Sequence, residues 1–279
     1  MVESIHTLLG NCKPVSEDEL NKVFDSLCVK LNEIGLKFAP IGSFNKKKEG
    51  SLYNDLDIAV EAPFKDGIDI VKQICQENED KTIFGKYNDK FNTVSIGYKL
   101  RDETNLQVDF MFVENIEFAK FAFHSPNFKL NESKYKGMYA SILLQSIIRN
   151  IPVHKEYFED GNVKEWIYFS LSQREGLIRK HKSFIGKRGN RVKSPQLVEE
   201  TFISDDPKFI INLIFKNQEV FNYIYTFEGL LDYISKNYDK EFIERVKHDF
   251  LTDWEFELKT PYELKKEFED LFNDKINNL

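Results

Sequence analysis

Two aspartates stand two positions apart in the stretch IGSFNKKKEGSLYNDLDI, which covers residues 41–58. The end of this stretch is strand-like, and side chains alternate along a strand. Asp55 and Asp57 would therefore lie on one face, with Leu56 and Ile58 on the other. Carboxylates side by side repel each other, and burying them without partners is costly. A divalent cation removes that cost, and Mg²⁺ binds carboxylates together with substrate phosphates. The pair predicts a magnesium site.

A third carboxylate lies in a later apolar run. Asp109 interrupts the sequence VDFMF, in which both of its neighbours are apolar. If this strand lies beside the one that carries Asp57, the carboxylates converge on one point. Such a set can hold two ions about 3.5–4 Å apart and support an in-line phosphoryl displacement. In the alternative interpretation, Asn54 and Asp55 belong to an ordinary turn and Asp57 is a solvated strand residue, which leaves Asp109 unexplained.

The Gly42-Ser43 pair precedes the two aspartates and has the composition of a phosphate-binding turn. Glycine lets the backbone approach a phosphate closely. If Ser43 opens a short helix, its free N–H groups and its hydroxyl would bind anionic oxygens. The turn would then hold the β- and γ-phosphates of a nucleotide, and the aspartates would hold the metal that bridges them. The lysines at 46–48 predict a solvated loop, with contact to the substrate as the alternative.

The ordered set of Gly-Ser, Asp-Leu-Asp-Ile and a later apolar-Asp-apolar strand resembles the nucleotidyltransferase superfamily typified by DNA polymerase β. The resemblance covers roughly residues 37–114, with an extension towards residue 150. It implies a phosphate-binding turn, three catalytic acids that ligate two Mg²⁺ ions (Mn²⁺ can substitute), and a third acid that helps to activate the attacking hydroxyl. The residues that match this pattern are Gly42, Ser43, Asp55, Asp57 and Asp109.

The same resemblance implies a reaction and further nucleotide contacts. The reaction is transfer of NMP from an NTP, with ATP or CTP favoured, to an acceptor hydroxyl with release of pyrophosphate. The family usually places nucleotide contacts on the helix after the third acidic strand, and residues 132–149 predict a helix there. Tyr135 or Tyr139 would stack on a base; the alternative is a solvated lysine pair beside core tyrosines. The candidate nucleotide ligands are Ser133, Lys134 and Lys136.

Charge is segregated in the second half of the chain. Residues 179–193 hold seven Lys or Arg, one His and no acid, whereas residues 194–279 hold 19 acids against 10 bases. A basic strip of this kind suits a polyanion such as an RNA or tRNA end, which is the favoured acceptor. In the alternative, the strip is a hairpin that pairs with the acidic helices. The candidate acceptor-binding residues are Lys182, Lys187, Arg188 and Arg191.

Other acceptors and another class of function stay open. Toxin-like members of the family modify proteins, and antibiotic-type members modify small molecules. A non-catalytic nucleotide-binding module would keep the fold without the chemistry, although the presence of all three acids disfavours it. No sequence feature fixes the acceptor.

The elements that must position these residues predict an α/β (α+β) fold with a small mixed sheet. We expect a nucleotidyltransferase catalytic domain over residues 1–150, followed by a β-hairpin connection and a helical C-terminal part over 151–279. The Asp160-Gly161 pair predicts a hairpin turn. The predicted strands cover 37–41, 56–62, 91–100 and 105–114, and the predicted helices cover 16–35 and 67–78.

Composition narrows the class of protein further. The formal net charge of −7 over 279 residues argues against a general nucleic-acid coat, although it permits a local basic groove. Three widely spaced cysteines argue against a disulfide framework and against a cysteine-based zinc site. No stretch has the composition of a signal peptide or of a membrane span. We therefore expect a cytoplasmic protein.

Overall fold

The computed structural model describes residues 9, 12–47, 49–75, 82–88, 92–100, 104–123, 133–172 and 175–279. In these ranges the chain has the predicted α+β architecture, and it separates into two compact units, Met1–Glu132 and Ser133–Leu279. No helix in the described part of the chain combines the length and the apolar character needed to cross a membrane.

The first unit is built on a five-stranded mixed sheet. Its strands are β1 Phe38–Ile41, β2 Asp55–Glu61, β3 Thr82–Asn88, β4 Thr93–Lys99 and β5 Asn105–Val113. Its helices are α1 Glu17–Glu33, α2 Gly67–Cys75 and α3 Ile116–Ala122. The strand order is β1-β2-β5-β4-β3, in which only β2 and β5 pair in parallel. The mixed sheet predicted from the alternation of helix and strand signals is thus confirmed.

Helix α1 begins where the sequence predicts it. Ser16 is its N-cap and forms a capping box with Glu19, which satisfies backbone N–H groups of the first turn. One apolar face of α1 is buried in the same core cluster as Leu56 and Ile58 of β2; its buried residues are Leu20, Val23, Leu27 and Leu31. Burial of Leu56 and Ile58 fixes the orientation of β2, because a shift of one residue would exchange its two faces.

The other face of β2 is only partly covered. Ala59 packs with Ile116 and Ala119 of α3 and with Ala39 and Ile41 of β1 in a small apolar cluster. Earlier residues on the same face of β2 lie outside this cluster. Asp55 and Asp57, at the beginning of β2 on this face, are half-buried.

The second unit contains an antiparallel four-stranded sheet in the order β6-β7-β8-β9 and a set of helices. The strands are β6 Pro152–Tyr157, β7 Val163–Ser172, β8 Gly176–Ile185 and β9 Arg191–Ser204. The helices are α4 Gly137–Asn150, α5 Pro207–Phe215, α6 Phe227–Asn237, α7 Lys240–Leu251, α8 Trp254–Lys259 and α9 Tyr262–Asn277. The turn predicted at Asp160-Gly161 joins β6 to β7, and Gly161 has φ of 80°.

Helix α4 is shorter than predicted. It begins at Gly137 with Lys136 as its N-cap, so residues 133–136 are not helical, and residue 132 lies outside the described residues. The helix packs on α6, α7 and β7. The sequence-based boundary at residue 150 falls at the end of this helix, whereas the two compact units divide at residue 132.

Candidate active site

The three predicted acids lie on one face of the β2–β5 pair. The parallel register places Asp57 directly beside Asp109 and Asp55 beside Gln107. Neighbouring strands are about 4.8 Å apart, and alternate residues of a strand are about 6.6 Å apart. The sequence reasoning required the two strands to be neighbours, and this adjacency is confirmed.

The ionisation of Asp57 is strongly perturbed. Burial of its carboxyl group raises the pKa of Asp57 well above the ordinary value, and the negative charges of Asp55 and Asp109 raise this pKa further. Both causes disfavour the ionised form. A cation at this position would reverse both effects, since it offers the carboxylate a partner of opposite charge.

Asp109 is held by a neighbour that the sequence analysis missed. Gln107 Nε2 donates a hydrogen bond to Asp109 Oδ2 over 2.9 Å, and Gln107 is 6% exposed. The other oxygen of this carboxylate, Oδ1, is also buried. Gln107 and Asp109 share a face of β5 because they are two positions apart. Counting back from Asp109 with a period of two would have identified Gln107.

The Gly42 turn touches the acid cluster. Ile41 is paired with Asp57 across β1 and β2, so the chain leaves β1 directly beside this carboxylate. Gly42 has φ of 66°, and a Cβ atom built on it would lie 2.3 Å from Asp57 Oδ2. Only glycine satisfies both the backbone conformation and the close approach. The predicted phosphate turn and a predicted metal ligand are therefore in contact.

Ser43 does not open a helix. Residues 42–46 form a turn, in which the Lys46 backbone N–H donates to the Ser43 carbonyl over 3.2 Å. The expectation of free N–H groups at a helix N-terminus is therefore wrong. The role of Ser43 as a phosphate ligand stays a prediction.

The side chains of Lys46 and Lys47 are half-buried, so the prediction of a solvated loop is wrong for these two lysines. Lys46 Nζ donates to the Gly42 carbonyl over 2.9 Å, and burial lowers the pKa of Lys46 to about 8. Lys47 Nζ donates to the Leu52 carbonyl over 2.7 Å and lies 4.8 Å from the centre of the Tyr53 ring. These contacts fold the lysine stems back onto the loop. Lys48 lies outside the described residues.

The donor set suits a hard divalent cation, because carboxylate oxygens are the ligands that Mg²⁺ and Mn²⁺ prefer. Within the described ranges, no three His, Cys, Asp or Glu side chains are already arranged as a metal centre. Asp57 and Asp109 lie side by side on neighbouring strands, whereas Asp55 lies two residues earlier in β2, beside Gln107.

The predicted nucleotide ligands of the 133–137 segment have partners within the second unit. Ser133 Oγ donates to Glu228 Oε2 over 2.7 Å, and the Lys134 backbone N–H donates to Glu228 Oε1 over 2.9 Å. The Lys134 side chain pairs with Glu267, while the exposed Lys136 caps α4. These contacts anchor the segment to α6 and α9. A role of these residues in nucleotide binding stays a prediction.

The tyrosines proposed to stack on a base belong to an aromatic core instead. Tyr135 and Tyr139 are 5% and 3% exposed, and their ring centroids lie 4.6 and 4.7 Å from that of Phe268. The Tyr135 hydroxyl donates to Glu267 over 2.5 Å. Burial and this carboxylate raise the pKa of Tyr135. The stacking interpretation is therefore wrong, and the alternative of core tyrosines is correct.

The basic strip forms the β8–β9 hairpin, and its ion pairs lie within its own sheet. Lys180 pairs with Glu200 at 3.0 Å and His181 with Glu165 at 3.1 Å. Lys182 Nζ lies 5.3 Å from the centre of the Tyr168 ring. The alternative interpretation expected the strip to pair with the acidic C-terminal helices. Lys180 and His181 pair instead with acids on neighbouring strands of the same sheet.

Comparison with known proteins adds little to this geometry. No protein-family model matches the sequence, and no curated protein matches it either. Among solved structures, the chain is similar to an antigenic nucleotidyltransferase-like protein from Paracoccidioides brasiliensis, with 18% identity and a TM-score of 0.28. The similarity covers 36% of this chain and 48% of that protein, about half of its length. The function must therefore be argued from the site itself.

Proposed function

We propose that this chain is a Mg²⁺-dependent nucleotidyltransferase, which transfers NMP from an NTP to an acceptor hydroxyl and releases pyrophosphate. The observation that carries the proposal is the contact of the Gly42 turn with Asp57, which lies beside Asp109. A nucleotide triphosphate with its metal needs a close backbone approach and converging carboxylates at one point, and this site supplies both.

The residues of the site divide into metal ligands and phosphate contacts. Asp57 and Asp109 would hold the cation, with Asp55 as a further ligand. When bound, Mg²⁺ would offset the negative charge that develops on the transferred phosphate and on the leaving pyrophosphate. The Gly42-Ser43 turn would position the β- and γ-phosphates, and the Lys46 ammonium group would offset part of their charge.

Asp109 is the proposed general base for the acceptor hydroxyl. The acceptor oxygen forms a bond to the α-phosphorus while the bond from that phosphorus to the β-phosphate oxygen breaks. Asp109 would accept the proton that the acceptor hydroxyl loses, while Gln107 keeps one oxygen of the carboxylate fixed. The remaining acceleration comes from positioning and from preorganised charge. ATP and CTP are the first nucleotides to test, and an RNA end is the first acceptor.

The test compares carboxylate variants in a transfer assay. Each variant is incubated with a labelled NTP, Mg²⁺ and cellular RNA or lysate, and both pyrophosphate and labelled product are measured. We expect Asp57→Asn and Asp109→Asn to lose activity by about 100-fold or more while remaining folded. Asp69→Asn serves as the control, because Asp69 is an exposed acid on α2 of the same unit. Wild-type activity in either site variant would contradict the proposal.

Calorimetry separates catalysis from simple binding. An enzyme releases pyrophosphate in the presence of its acceptor, whereas a non-catalytic nucleotide-binding module binds Mg²⁺ and NTP without release. Binding without turnover in every RNA, protein and small-molecule fraction would favour the module.

A further inference from the structure

The tip of the β8–β9 hairpin carries an open cleft with a basic rim. The cleft has a volume of about 630 Å³. It lies within the second unit, where the β6–β7 turn meets the end of β8 and the start of β9. We call it the tip cleft, and it is lined by Asn162, Val163, Phe184, Arg191, Val192 and Lys193.

Two backbone hydrogen bonds close the turn at the tip of the hairpin, and two exposed cationic residues lie on it. The Gly186 N–H donates to the Asn190 carbonyl over 2.7 Å, and the Gly189 N–H donates to the Gly186 carbonyl over 2.8 Å. Gly189 has φ of 76°, which this turn requires and which glycine adopts without strain. Lys187 and Arg188 occupy the exposed positions between these glycines. Their backbone is therefore fixed before any ligand arrives.

Arg191 lines the tip cleft, and its side chain is held in place by two contacts. Its Nη1 pairs with Asp160 Oδ2 at 2.5 Å, and its guanidinium lies 4.7 Å from the centre of the Phe158 ring. The hydrogen bond from Arg191 is the main cause that lowers the pKa of Asp160 to about 2. Asp160 neutralises Arg191, so this residue contributes shape and hydrogen-bond donors more than net charge.

Lys193 lines the tip cleft, and two further cations, Lys187 and Arg188, lie on the turn that joins β8 to β9. Lys187, Arg188 and Lys193 form no ion pair with any residue in the part of the chain that the structure describes, and no acid occurs in residues 176–198. A local charge of this size attracts a polyanion. It stands out because the chain as a whole is acidic, with a net charge of −7.

The wall of the tip cleft indicates which polyanion fits. It combines the ring of Phe184 with the side-chain amide of Asn162, beside the cations. Aromatic rings next to cations are the usual platform for unstacked bases and their phosphates. Bases in a duplex are stacked and paired, so they do not offer their faces to a ring in a cleft. The chemistry therefore favours a single strand.

We infer that the tip cleft binds single-stranded nucleic acid. Lys187, Arg188 and Lys193 contact phosphates, while one base packs against Phe184 with its edge towards Asn162. The further step, that this strand is the acceptor for nucleotide transfer, rests on the proposed function, whereas binding itself does not.

Fluorescence polarisation of the full chain tests binding without NTP or Mg²⁺, so the outcome does not depend on transferase activity. The probes are a labelled 15-residue RNA, DNA of the same sequence and phosphatidylserine vesicles. We expect the triple variant Lys187→Ala, Arg188→Ala, Lys193→Ala to weaken oligonucleotide binding by about tenfold or more. It should also reduce the slope of log affinity against log salt by about 2, at roughly 0.7 for each phosphate that the variant no longer neutralises.

The control removes the same charge elsewhere. Lys208→Ala, Lys236→Ala, Lys266→Ala changes three exposed lysines on helices of the same unit, so its binding and salt slope should match those of the wild type. Phe184→Leu should weaken binding by about tenfold with the slope unchanged, because stacking involves no counterion release. Equal weakening by the two triple variants, or preference for the vesicles, would overturn the inference. RNA binding without transfer to that RNA would instead overturn only the step that makes this strand the acceptor.

Discussion

Replacing Gly42 by alanine tests whether the contact between the turn and Asp57 carries the function. The new methyl group would lie 2.3 Å from Asp57 Oδ2, whereas ordinary contacts begin at 3.4 Å. The oxygen must therefore move by about 1 Å, or the turn must shift by the same amount. Either movement separates the phosphate turn from the carboxylate that is expected to hold the metal.

The cost can be worked from two terms. An alanine in the left-handed region costs about 1–2 kcal/mol. Turning the Asp57 side chain about 30° away from its rotamer costs about 0.5–1.5 kcal/mol more. We expect Gly42→Ala to lower the free energy of unfolding by roughly 1.5–3.5 kcal/mol. A displacement of about 1 Å in a catalytic group lowers activity by about 100-fold.

Gly35→Ala is the matched control. Gly35 has φ of 70°, close to that of Gly42, but a Cβ atom built there meets nothing within 4 Å. This variant should lose about 1–2 kcal/mol of stability and keep its activity. Urea unfolding and the transfer assay, run below the melting temperature of both proteins, separate the two effects. A threefold difference in activity corresponds to about 0.7 kcal/mol in the activation free energy. The reasoning would be refuted if the activity of Gly42→Ala lay within threefold of that of Gly35→Ala.

Two further predictions follow from ionisation. Burial lowers the pKa of Lys46 to about 8, so affinity for NTP should fall as the pH rises through this range, whereas Lys46→Arg should stay flat because arginine remains charged. Calorimetric titrations from pH 7 to 9.5 check this, and identical pH profiles would exclude a role for the Lys46 charge. Because the folded-state pKa of Asp57 is raised, its contribution to stability is present below its unfolded pKa and is lost as the pH rises through the folded value. In EDTA, Asp57→Asn should therefore gain stability relative to the wild type as the pH rises from 4 to 8 in urea unfolding, and an equal difference at both pH values would contradict the electrostatic argument.

The sequence predicted the acid-bearing strands well because alternation and burial leave little freedom. Leu56 and Ile58 must face the core, and this alone sends Asp55 and Asp57 to the opposite face. The apolar surroundings of Asp109 identified its strand in the same way. The pairing of β2 with β5 was required by the chemistry that the sequence suggested, and the structure confirms it.

One error concerns contacts over long sequence distances, and the other concerns a short-range contact within a loop. Tyr135 looked available for stacking because its neighbours are polar, but Phe227 and Phe268 cover its ring from far along the chain. The lysines after Gly42 looked solvated because a charge run usually is, but Lys46 reaches back to the carbonyl of the turn. Neither contact has a local signal in composition or periodicity.

The candidate site concentrates features that a purely structural region would avoid. Burial and neighbouring acids disfavour the ionised form of Asp57, and Gly42 combines a positive φ with an approach to Asp57 that leaves no room for a Cβ atom. Burial also disfavours the charge of Lys46. Residues with perturbed pKa values and residues with a constrained backbone occur together at functional sites, where binding of a ligand offsets the free energy that they cost. A single ligand that combines a cation with phosphates would relieve the Asp57 and Lys46 penalties together, since the cation meets the carboxylates and the phosphates meet the lysine. A solvated turn beside an ordinary strand residue accounts for neither penalty, and this difference favours the metal–nucleotide site.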